Sequence, residues 1–134
     1  MQAWGVDGAG QIRRTHAQPQ KRAVLGLIRA AKGLSRDQEW TDLEALEYRC
    51  ETLRPGVRMW DFATMSNVIS ADGKVPHPRG IQEKEYLANA DFLVHLVGSD
   101  DLIAEVRAAL ENPVFLIGLG RRDCPPSAPL LTDL

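Results

Sequence analysis

Residues 91–118 read DFLVHLVGSDDLIAEVRAALENPVFLIG, and no other stretch restricts the fold as much. In the first part Phe92, Val94 and Leu96 alternate with Leu93, His95 and Val97, the pattern of a strand covered on both faces. On that pattern His95 is a packed histidine rather than a catalytic one. Ser99 or Asp100 then supplies a helix N-cap, Leu102, Ile103, Val106 and Leu110 form one apolar stripe, and Pro113 stops the helix. The short apolar run VFLIG follows as a last strand.

Upstream, Val24, Leu25, Leu27, Ile28 and Ala31 recur at helical spacing, with Gly33 placed to end the helix and Arg29 and Lys32 near its C-terminal dipole. Thr41 and Glu44 have the spacing of a capping box for a second, short helix that ends near Glu47. The run YRCETLRPGVRMWDF reads as two extended segments folded into a hairpin at Arg54-Pro55-Gly56. Residues 63–84 mix Gly, Pro, Ser and Asn with few apolar anchors, which predicts a long insertion. The order helix, short helix, hairpin, insertion, strand, helix, strand is most of a ferredoxin-like (RRM-like) β-α-β-β-α-β unit without its first strand. The fold class expected is therefore α+β, as one domain over residues 1–134.

Composition excludes several classes. A chain of 134 residues with 44% hydrophobic and 25% charged residues has the balance of an ordinary globular domain. No apolar run approaches the roughly 20 residues that span a bilayer, and the N-terminus has no basic stretch leading into an apolar segment, so no membrane association is expected and the cytoplasm is the expected compartment. Cys50 and Cys124 are then free thiols, and with His16, His77 and His95 they make no zinc spacing, so neither a metal nor any other cofactor is expected. Gly5, Gly8 and Gly10 lack the spacing of a dinucleotide fingerprint.

The net charge of −2 conceals a strong asymmetry. Residues 1–36 hold seven basic side chains, Arg13, Arg14, Lys21, Arg22, Arg29, Lys32 and Arg36, against Asp7, a balance of +6. Residues 37–51 hold six acidic side chains against Arg49, a balance of −5. Two such segments suit two partners, one polyanionic and one a protein. The run GLGRRDCPP at 118–126 adds a second cationic element. Gly118 and Gly120 permit a sharp turn and close backbone approach, Arg121 and Arg122 carry planar forks suited to phosphate, and Pro125 and Pro126 fix the exit.

Six segments occur in one order: MQAWG, RRTHAQP, GLIRAAKGLSRD, RPG followed by DFAT, YLANADFLV, and GLGRRDCPP. In that order the chain resembles the CRISPR-associated CasD family, of the type I-E Cascade branch. The resemblance implies a ferredoxin-like core with a projecting thumb, here the insertion at 63–84, that holds the 5′ handle of CRISPR RNA within a complex of other Cascade subunits. Carried onto this chain, Gln2 hydrogen-bonds a base edge, Trp4 stacks on a base, and Arg13, Arg14, Lys21, Arg121 and Arg122 neutralise phosphates around Gly118 and Gly120.

The chain departs from the family pattern in four places. Arg22 and Ala23 stand where relatives have a small hydroxyl residue and glycine, with Arg22 an electrostatic substitute. Glu83 and Glu85 stand where RNA would be repelled. Met1 falls inside the first motif, and relatives continue beyond the proline-rich loop, so a fragment or mis-assigned start of low stability in isolation is expected. The expected role is non-catalytic. The alternative is a metal-independent CRISPR-RNA endoribonuclease, for which His16, Tyr48, His77, Lys21 and Lys84 are the available groups.

Overall fold

The computed structural model describes residues 1–6, 10–69, 72–73 and 80–132. It is a mixed α+β architecture of two small sheets, one of which is covered by helices. The elements in chain order are β1 (Ile12–Arg13), α1 (Lys21–Lys32), α2 (Thr41–Glu44), β2 (Glu47–Arg54), β3 (Val57–Met65), β4 (Gly80–Ala88), β5 (Asp91–Val97) and α3 (Asp100–Glu111).

The helical layer follows the sequence closely. Val24, Leu25, Ile28 and Ala31 are the buried stripe of α1, and Gly33 ends the helix in the left-handed region at φ 73°, with its N–H and that of Leu34 closing onto the carbonyls of Ala30 and Arg29. Ser99 caps α3 by accepting from the Leu102 N–H at 3.4 Å. The two helices meet along Val24, Leu25, Ile28 and Val106, joined by Leu43 and Leu46, and Lys32 pairs with Glu105 at 2.9 Å across their outer edge. Tyr48, Val94 and Leu96 complete this core from the sheet below, in which β2 and β5 run antiparallel from Glu47↔Val97 to Arg54↔Asp91. The capping box expected at α2 does not form: Trp40, not Thr41, is the N-cap, and no side chain caps the helix.

The hairpin expected between β2 and β3 is corrected. The two strands do not pair; β2 pairs with β5, while β3 pairs with β4 in a nine-residue register from Val57↔Ala88 to Met65↔Gly80. The reason lies in Pro55. A two-residue hairpin loop needs φ > 0 at its first central position, and proline is held near −65°. Instead Pro55-Gly56 makes a corner that passes the chain from one sheet to the other. Gly56 lies at φ 72°, and a Cβ there would stand 2.6 Å from the carbonyl oxygen of Ala88 and 2.8 Å from the nitrogen of Ala90. The return from β4 to β5 turns at Asn89, φ 56°, directly against it.

The two ends of the insertion expected over 63–84 are sheet: β3 runs on to Met65 and β4 begins at Gly80, while residues 70–71 and 74–79, including His77, lie outside the described residues. The sheet is completed by β1, parallel to β4 through Ile12↔Glu83 and Arg13↔Lys84.

Two further expectations change. VFLIG forms no strand: the N–H groups of Val114 and Phe115 cap the carbonyls of Ala31 and Ala30 at 2.9 and 3.2 Å, and Leu116 is 98% exposed. Among the described residues no strand lies alongside it, so the apolar pattern has no ladder to join. Gln2 makes an antiparallel bridge to Leu87, with both N–H···O bonds at 2.8–2.9 Å, and the Ala3 N–H reaches Leu119 O at 3.0 Å. His95 is only partly buried, in the layer of Arg49 and Glu51, with Arg49 Nη2 at 3.3 Å from its Nε2. No described helix is long and apolar enough to cross a membrane.

These packing relations set opposite expectations for two glycines. Gly56→Ala, strained in φ and blocked by backbone, should cost roughly 1–3 kcal/mol. Gly26→Ala, in the exposed middle of α1 with nothing near its Cβ, should gain about 0.5–1 kcal/mol. Urea denaturation of the two variants against the parent measures both.

Candidate functional site

The two ends of the chain converge on β4. From the N-terminal side, the Trp4 N–H donates to Thr15 Oγ1 at 2.7 Å, the His16 N–H donates to Trp4 O at 2.6 Å, and Gly5 bridges Thr15 in antiparallel fashion. From the C-terminal side, residues 118–124 fold back on themselves: the Leu119 N–H reaches Cys124 O at 2.7 Å and the Cys124 N–H reaches Arg121 O at 3.1 Å. Gly120 lies at φ 88°, and a Cβ on it would stand 1.9 Å from Ala3 O and 3.1 Å from Trp4 Cε3. At Gly118 the Cβ would meet Arg121 O at 2.3 Å. Both glycines are required by close backbone approach, as expected, but what approaches is this chain's own backbone.

A buried carboxylate ties β4 to the N-terminal segment. Glu85 is 6% exposed; its Oε2 accepts the Thr15 N–H at 3.0 Å and its Oε1 pairs with Arg58 Nη1 at 2.8 Å, while the same Arg58 nitrogen donates to Thr15 O at 3.0 Å. Burial alone pushes this carboxyl up, but the Thr15 N–H and the Arg58 guanidinium, with Arg14 nearby, reverse that and hold it below the usual carboxylate range. The repulsive role expected of Glu85 is thus corrected: its charge is enclosed and neutralised by Arg58. Glu83, its neighbour in β4, lies opposite Phe62.

On the other side of β4, Asp123 accepts the Tyr86 O–H at 2.6 Å and pairs with Lys84 at 3.3 Å. Burial, then the hydrogen bond and charge of Asp123, raise the Tyr86 phenol to about 12, and burial followed by Asp123 raises the Cys124 thiol to about 11. Both groups are neutral at physiological pH. Cys50 and Cys124 are unpaired.

The residues expected to bind RNA separate into three sets. Gln2, Trp4, Gly118, Gly120 and Arg121 build the corner. Trp4 is 3% exposed, with its Nε1 donating to Gln2 Oε1 at 3.1 Å, while Gln2 Nε2 donates to Ala90 O at 2.9 Å. The indole has no open face for a base, and the Gln2 amide is already engaged at both ends. Arg121 turns inward, donating to Glu85 O at 2.8 Å, Arg13 O at 2.8 Å and Arg14 O at 3.2 Å. The second set faces outward: Arg14 and Arg122 are exposed, and Arg13 is partly so, with its Nε buried and without a hydrogen-bond partner. Lys21 and Arg22 lie apart, on the first turn of α1, where Lys21 donates to Glu44 O at 2.8 Å and the Arg22 guanidinium is 5.8 Å from the Trp40 ring centre.

Of the groups named for nuclease chemistry, His77 lies outside the described residues, and Lys84, Lys21 and Tyr48 are each engaged elsewhere. Lys84 is paired with Asp123, Lys21 is bound to α2, and the Tyr48 O–H donates to Pro19 O at 2.5 Å, with burial and Cys50 raising its phenol well above the ordinary value. No group of three or more metal-ligating side chains occurs among the described residues. Thr15, Arg58, Tyr86 and Asp123 carry no signal in the sequence, since each acts through backbone groups or a partner distant in the chain.

Comparison with known proteins fits this arrangement. The family model described as CRISPR-associated protein (Cas_Cas5) matches residues 1–134. The chain belongs to this CRISPR-associated Cas5 family. It is 30% identical over 146 aligned positions to the CRISPR system Cascade subunit CasD of Escherichia coli (strain K12), covering 97% of this chain and 65% of that protein. A chain of a solved CRISPR RNA-guided surveillance complex superposes with a TM-score of 0.86 at 30% identity, over 98% of this chain and 57% of that one. A second solved structure, a crystal structure of a Cas protein, gives 0.72 at 32% identity, over 98% of this chain and 58% of that one. The chain thus spans a little under two thirds of the relatives it matches.

The Glu85 network predicts a specific pH dependence. Because its carboxyl is held below the ordinary value near 4.3, its stabilisation is full above that pH and is lost as pH falls through the depressed folded value. Glu85→Gln should cost about 1–3 kcal/mol at pH 7, and the difference from the parent should narrow below about pH 4. Urea midpoints measured across pH 3–7 test this.

Proposed function

We propose that this chain is a non-catalytic subunit of a Cascade-type surveillance complex that binds the 5′ handle of CRISPR RNA. The observation that carries the reading is the convergence of the Gln2–Gly5 segment and the 118–124 loop on β4, which sets Arg13, Arg14 and Arg122 at one rigid corner. Three guanidiniums on fixed backbone suit consecutive phosphates of a single strand, and handle binding needs charge and shape but no general acid or base. Lys21 and Arg22 extend the cationic path toward α1. Gln2, Trp4, Gly118 and Gly120 act in this reading as the frame of the site. The layer of α1 and α3 on β2 and β5 is the ferredoxin-like core, the β3–β4 hairpin is the thumb, other Cascade subunits are the protein partners, and the cytoplasm is the compartment.

Fluorescence anisotropy with a labelled single-stranded CRISPR repeat RNA, in chelator, tests the reading. The parent should bind without cutting. Replacing Arg13, Arg14 and Arg122 together by alanine should weaken binding and lower the steepness of log K against log salt by about 2, because each phosphate neutralised on a single strand contributes roughly 0.7 to that slope. Unchanged binding by the triple variant, or specific cleavage by the parent, would overturn it.

A further inference from the structure

Arg121 carries the side chain best formed to grip phosphate, yet its fork lies against protein. Nη1 donates to the carbonyl of Glu85 in β4. Nη2 donates to the carbonyls of Arg13 and Arg14, 108 and 107 residues earlier in the chain, and the guanidinium sits 5.2 Å from the centre of the Tyr86 ring. Three carbonyls on two segments are held by one planar group. A lysine ammonium keeps the charge but is a compact point donor and cannot span the same acceptors.

This anchor stands where the backbone ladder stops. The parallel pairing of β1 with β4 covers only Ile12 and Arg13, and beyond it Glu85 holds the Thr15 N–H while Arg121 holds the Arg13 and Arg14 carbonyls. Arg122 is the next residue in the chain, so the same anchor fixes its backbone as well. Resting on the reading above, we infer that Arg121 is the positioning residue of the RNA site. It does not touch RNA; it sets the orientation and mutual spacing of Arg13, Arg14 and Arg122, which do. Preorganising three long side chains on fixed backbone lowers the ordering cost that binding would otherwise meet.

The decisive variant is Arg121→Lys, alone and with Arg14→Ala, assayed with the labelled single-stranded repeat RNA. A positioning role predicts that Arg121→Lys weakens binding by about tenfold although charge is conserved, and that Arg14→Ala adds less than about twofold in that background. If Arg121 contacted phosphate directly, the lysine variant would bind within about threefold of the parent and Arg14→Ala would be equally costly in both backgrounds; that result overturns the inference. Val106→Ala, in the helical core and away from the corner, controls for general destabilisation and should leave RNA affinity unchanged, whereas an equal loss of affinity in both variants overturns the positioning role. A measurement without RNA completes the test: exchange of the Thr15 amide should quicken at least about tenfold in Arg121→Lys, and unchanged protection there refutes the anchor. A parent that binds no RNA would instead sink the functional reading, with the Thr15 amide still reporting whether Arg121 holds the segment.

Discussion

The corner depends on an ionised carboxylate that β4 carries into the protein. Placing Glu85 out of water would cost several kcal/mol if it stood alone, and removing one partner of a buried pair is far more damaging than the pair's net worth. Here both oxygens are used, one by Arg58 and one by the Thr15 N–H. That second bond matters most for the architecture. It fixes Thr15, whose hydroxyl receives the Trp4 N–H, and so carries the order of β4 into the N-terminal segment. Without it, the segment that follows the two-residue β1 would be left to the bonds from Arg58 and Arg121.

Around that charge the chain divides its work. The helices rest on β2 and β5 through aliphatic packing, a core that needs no polar group to specify it. The corner has a different character: beside a small apolar cluster of Ala3, Tyr86 and Cys124 with Leu119, and the buried Trp4 and Leu87, it is held by hydrogen bonds between segments remote in sequence. Small apolar content and dense polar ties make a rigid surface feature rather than a second core. Such a feature can present cations at fixed spacing, because the groups that would compete for them are already satisfied.

Where interactions are local, the sequence is readable. The stripes of α1 and α3, the stop at Gly33 and the cap at Ser99 all depend on neighbours within one or two turns. The convergence of Gln2–Gly5 with GLGRRD is also legible, from ordered motifs. Partnering between strands is not. Pro55-Gly56 resembles a hairpin turn until the backbone angles are considered, and β4 has a charged sequence, GIQEKEYLA, whose extended form comes from neighbours on both sides. The direction of a side chain is the least accessible property. Nothing in the letters separates Arg121, which faces three carbonyls, from Arg122, which faces solvent.

The paired corners at Pro55-Gly56 and Asn89-Ala90 have a mechanical consequence. The hairpin they support is nine residues long on each strand, a lever of about 30 Å at 3.3–3.4 Å per residue. Its hinge line is the narrow place where two backbone segments press together with no room for a side chain. Force applied to the distal part of the hairpin therefore enters the helical layer through those two crossings, while the bonds of Gln2, Thr15 and Arg121 to β4 brace its base. A partner gripping the hairpin would be felt first at the arginine corner and only afterwards in the helices.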